Sequence, residues 1–152
     1  FEIFKSTLNK VKNNEEKIEK DEVKALSSIV SLLVEAASID GQIGDDEKNK
    51  ISSILINQLK LDPIKAKEIL DETISLSGEQ IEIWSKTNDI RKELDYDERL
   101  NILELMWEIV LVDDVLDVFE AQLMRRVSGL LYISDVDSGN SKKRALFNLK
   151  NN

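Results

Sequence analysis

Two sets of carboxylates share one spacing, and they are the groupings in the sequence whose types and positions could do chemistry. Glu35, Asp40 and Glu47 read as Glu, four residues, Asp, six residues, Glu, and Glu108, Asp113 and Glu120 repeat that order. A shift of 73 residues lays LLVEAASIDGQIGDDE over LMWEIVLVDDVLDVFE, so that Leu32 meets Leu105 and each acid meets its counterpart. Ile29 then falls on Ile102 and Asp62 on Asp135 without a gap. Acids gathered this way raise one another's pKa unless a positive charge sits between them. A hard divalent cation such as Ca²⁺, Mg²⁺ or Mn²⁺ would meet that need through oxygen ligands alone. So would a basic side chain such as Arg125 or Arg126.

The rest of the composition removes alternatives. The 152 residues include no Cys and no His. Disulfides, thiol nucleophiles, imidazole bases, Ser-His-Asp triads, Cys/His zinc sites and thiolate-held iron–sulfur clusters are therefore excluded. No glycine-rich phosphate loop is present, and Ser27, Ser28, Ser52 and Ser53 lie on helical stretches without an evident base. A two-carboxylate hydrolase has little support, and the chain reads as a non-enzyme. Thirty acidic residues against 21 basic ones give a formal charge of −9, which argues against nucleic acid. The basic run Lys142-Lys143-Arg144 reads as a solvated helix face.

No apolar run is long enough to span a membrane, and no signal-peptide pattern is seen, so a cytoplasmic location is expected. Residues 1–12 place Phe1, Phe4, Leu8 and Val11 on one side of a helix. Peripheral membrane contact is one use of such a segment. Docking on its own domain or on another copy is the favoured one. The chain starts at Phe1 rather than Met, as it would if an initiator or a longer leader preceded it.

The elements that must position the acids are helices. With 41% apolar residues, five Gly and one Pro, the periodicity is helical nearly everywhere. The spacing predicts a polar helix and connector over residues 1–20, then helices near 22–39, 45–60, 63–76, 79–93, 95–112, 118–133 and 140–149. This describes an all-α, single-domain bundle of about seven to eight helices over residues 21–152. Its two pseudo-symmetric halves cover about 22–62 and 95–135. Asp62 is suited to cap a helix that Pro63 opens. Trp84 and Trp107 read as core, and Tyr132 as packing with a wet hydroxyl.

On this frame Glu35 and Glu108 border an apolar stripe, each Asp ends a helix, and each second Glu opens the next one. Asp-Gly is an ordinary turn and acids ordinarily populate a first helical turn. Those facts account for Asp40, Gly41, Asp45, Asp46 and Glu47 with no function at all, but not for Glu35 and Glu108. The corner is not an EF-hand, whose loop needs twelve residues.

The segments LLVEAASIDGQIGDDEKNKISSIL and LDYDERLNILELMWEIVLVDDVLDVFEAQLMRRVSGLLYIS resemble the tellurite-resistance TerB-like family. The likeness is greatest to its branch of small bacterial proteins with two such half-motifs, and runs from about Glu22 to Ile133. It implies an all-α fold of two pseudo-symmetric halves with a metal site made of acids. Carried over by position, it implicates Glu35, Asp40 and Glu47 in the first half, and Glu108, Asp113, Asp117 and Glu120 in the second. The chain departs from the pattern where Asp113-Asp114 replaces Asp-Gly and where Gly44 stands opposite Asp117. The resemblance also implies a regulatory or scaffolding role in a bacterial stress response, with protein partners. The competing expectation is a metal-free helical module for protein–protein interaction.

Overall fold

A computed structural model of the chain describes residues 16–39, 41, 43–76, 82–112 and 116–151, with side chains from residue 21 onward. Among them are seven α-helices and no strand: α1 (Glu16–Ser38), α2 (Asp45–Ser53), α3 (Pro63–Leu76), α4 (Ile83–Glu93), α5 (Tyr96–Val110), α6 (Val118–Leu130) and α7 (Asp135–Lys150). The all-α reading holds. The amphipathic foot over residues 1–12 lies outside the described residues. α1 begins at Glu16, inside the stretch read as connector, where Glu and Lys are good helix formers.

Two helices form the centre. In α1, Ala25, Leu26, Ile29, Val30, Leu32, Leu33, Val34, Ala36 and Ala37 are buried, so apolar contact surrounds the helix rather than following one stripe. α5 is buried in the same manner from Leu105 to Val110. α1 packs on α2, α3, α4 and α5, while α5 packs also on α6 and α7. α1 therefore carries α2 and α3, and α5 carries α6 and α7.

The ends of the helices show why the elements stop where they do. α2 runs into a π-helical turn, Ile54–Gln58, closed by the Leu59 N–H donating to the Ile54 carbonyl at 3.0 Å. Lys60 then turns left-handed at φ 59°, and Asp62 caps α3 by accepting from the Ile64 and Lys65 N–H groups at 3.2 and 3.3 Å. α6 stops at Leu130, three residues short of the periodic pattern, because Tyr132 is left-handed at φ 57°. Its N–H reaches the Gly129 carbonyl at 3.1 Å and that of Ile133 reaches Ser128 at 3.0 Å, the bonds of a Schellman stop. Tyr lacks glycine's freedom there. Arg91 stacks its guanidinium 4.3 Å from the Tyr132 ring and donates to the Leu130 carbonyl, and Arg99 donates to that of Leu131 at 3.0 Å.

α7 starts at Asp135 rather than near 140, since Ser134 accepts from the Asp137 N–H at 3.1 Å and Gly139 is carried inside the helix. The caps also correct the repeat. Asp62 corresponds to Ser134 and Lys60 to Tyr132, a shift of 72 residues, whereas the acidic corners keep 73. The π turn takes up the one extra residue in the first half. Asp62 and Asp135 are thus not equivalent: one is a cap and the other the first residue of a helix.

Candidate metal centre

The first corner joins α1 to α2. Gly41 has φ 136°, a conformation L residues rarely adopt, and its N–H donates to the Ser38 carbonyl at 3.0 Å. Asp40 lies outside the described residues. Glu35, one turn before the end of α1, is half-buried, and burial pushes its carboxyl above the usual carboxylate range. It makes no hydrogen bond or ion pair with the described residues. Glu47 is half-buried in the first turn of α2 and folds back toward the cap residue Gly44: its Oε2 is 2.5 Å from where a Gly44 Cβ would stand. Gly44 supplies no side-chain cap.

The second corner joins α5 to α6, and its acids are differently placed. Asp113 lies outside the described residues. Glu108 does not border a stripe; it sits inside the core with 1% of its surface exposed. The Lys50 ammonium, projecting from α2 of the first half, stands 3.1 Å from its Oε1. At that distance the ammonium forms an ion pair with the buried carboxylate. Asp117 caps α6 by accepting from the Glu120 N–H at 2.7 Å, and Glu120 reaches back to accept from the Asp117 N–H at 3.3 Å. This is a reciprocal capping box, which fixes both side chains with no ion. Arg125 and Arg126 are exposed on α6, and the cation that meets Glu108 is Lys50 instead.

The two caps share a backbone. Gly44 has φ −82° and ψ 169°, and Asp117 has φ −83° and ψ 172°. The two cap residues thus agree in backbone and differ in side chain. At the first corner the described carboxylates, Glu35 and Glu47, make no hydrogen bond or ion pair with the described residues, and oxygen donors of that kind are the type a hard divalent cation takes. Glu108 at the second corner is not such a donor, because its carboxylate is already neutralised. Among the described residues, no three acids converge into a set that could hold a metal ion.

Sequence reasoning missed the Lys50–Glu108 pair, which joins residues 58 positions apart and has no counterpart in the repeat: Leu123 stands opposite Lys50. It also missed a buried polar contact between α1 and α4. The Ser28 hydroxyl donates to Asp89 Oδ2 at 3.0 Å, and Lys24 lies 3.6 Å from Oδ1. Ser28 is 1% exposed, which suits a structural link rather than a nucleophile. Trp107 is buried as expected, with Lys142 5.3 Å from its ring, but Trp84 is 59% exposed and is not core. Tyr132, 68% exposed, serves as a platform for Arg91 instead of packing inward. In the basic run, Arg144 pairs with Glu104.

Among the described residues no helix is long and apolar enough to cross a membrane. No curated protein and no solved structure matches the chain. The family profile described as tellurite resistance protein TerB matches residues 25–143, which takes in both corners and all the central helices. The chain belongs to the TerB family.

Proposed function

We propose that this TerB-family chain binds a hard divalent cation, Ca²⁺, Mg²⁺ or Mn²⁺, at the corner between α1 and α2, in a regulatory or scaffolding role within a bacterial stress response and without catalysis. The observation that carries the reading is Glu35: a half-buried carboxylate raised by desolvation and, among the described residues, without a partner. An ion there would offset the cost of burying it. Glu47 supports the reading, since its carboxylate also makes no hydrogen bond with the described residues, and Asp40 lies between the two in sequence. Asp and Glu oxygens favour these ions over soft metals. Calorimetric titration of chelator-treated protein with each ion tests it. Binding below millimolar concentration, weakened at least tenfold by Glu35→Gln, is the expected result. No heat from any of the three ions contradicts the reading.

A second reading, a metal-free interaction module, draws on exposed apolar side chains. Val118, Phe119, Tyr132, Val136 and Phe147 are all more than 60% exposed around α6 and α7. Apolar side chains that form one contiguous exposed patch mark partner surfaces. The two readings part at the titration: a metal-free module gives no heat with any of the three ions.

A further inference from the structure

We infer that Lys50 is a built-in cation that holds Glu108 in place of a metal ion, so that the chain carries one exchangeable ion at the first corner and none at the second. This rests on the cation-binding reading for the first corner, but the pair itself is observed independently of it. The side chain of Glu108 is 2% exposed and that of Lys50 is 18% exposed, so both charges are withdrawn from water. A carboxylate this deep requires a positive partner. The ammonium is 3.1 Å from Oε1 and forms an ion pair with it. A spherical ion would make the same kind of charge contact. The acids at the α6 cap hold each other through backbone N–H groups and form the cap without an ion.

Lys50 comes from the first half and Glu108 from the second, and the repeat offers Glu35 no matching lysine because Leu123 occupies that position. The same tether therefore links the two halves. α2, which opens with Glu47 at the first corner, is also the helix that sends Lys50 to Glu108. Whatever moves α2 at Glu47 pulls on an ion pair less than one turn along, roughly 4.5 Å further on at 1.5 Å per residue.

The test is the number of Mn²⁺ ions bound by the native chain and by Lys50→Met, counted by equilibrium dialysis and paired with thermal unfolding. The native chain is expected to bind one ion, with affinity unchanged in Glu108→Gln. Lys50→Met is expected to gain an ion that Glu108→Gln removes again. If Lys50→Met folds only when Mn²⁺ is added, that recovery is the same result read through folding. Two results overturn the inference: native binding that is lost in Glu108→Gln, or a Lys50→Met chain that neither gains an ion nor is stabilised by Mn²⁺. A native chain that binds none, beside a Lys50→Met chain that gains a Glu108-dependent ion, removes the reading of the first corner and keeps this one.

Discussion

At the scale of single residues, burial decides which acids are active and which are committed. Glu98 is 7% exposed, and burial holds its carboxyl above the usual range, while the hydrogen bond from the Asp95 N–H draws it part of the way back. Its folded-state pKa lies above its unfolded one, so the native state binds the proton more tightly. This group therefore costs stability as pH rises from the ordinary carboxylate range through the raised value, and the cost is relieved on acidification. Gln keeps the acceptor of the capping box without the charge. Glu98→Gln is expected to be as stable as the native chain at pH 4.5 and more stable at pH 7, by thermal unfolding at both. An equal Tm difference at the two pH values would contradict the assignment. Glu93 is raised too, by burial first and by Asp21 second. By contrast, Lys50→Met should cost about 3–5 kcal/mol in the absence of ions, as for any buried pair stripped of one member.

At the scale of elements, α2 and α6 open on cap residues of one backbone conformation and different side chains. Gly44 and Asp117 have almost the same dihedral angles, so Gly44 is a cap position without a cap. Gly44→Asp should stabilise the chain by about 0.5–1 kcal/mol, provided that the flexible end of Glu47 swings away from the new Cβ. Urea unfolding would show it as a higher midpoint at unchanged slope. Gly41→Ala should do the reverse. Nothing lies within 4 Å of its added methyl, so the whole cost, about 1–3 kcal/mol, would come from φ 136°. A neutral Gly41→Ala would show that the corner relaxes to another turn.

The helices themselves were legible because apolar periodicity and caps such as Asp62–Pro63 are local signals. Their stops at Lys60 and Tyr132 were not, since a left-handed non-glycine residue has no compositional mark and depends on distant partners such as Arg91. The π turn was equally hidden. Asp62 and Asp135 therefore match in an ungapped sequence shift while only Asp62 caps a helix, the other cap being Ser134.

At the scale of the molecule, α1 and α5 occupy the centre and carry Glu35 and Glu108 with them. The periodicity identified both acids as exceptions to a solvated face, but not that one would be half-buried and free while the other is enclosed and paired. That difference arises from what packs against them: α2 brings Lys50 to Glu108, a contact between halves that no local pattern encodes. The consequence is that, among the described residues, Glu108 has a cationic partner and Glu35 has none. The measurement that tests this most directly is an anomalous-scattering map from a crystal soaked in Mn²⁺. The account predicts a single peak within ligand distance, about 2.0–2.6 Å, of the Glu35 and Glu47 oxygens, and none beside Glu108. A peak at Glu108 with Lys50 swung away, or a map with no peak at the first corner, would contradict it.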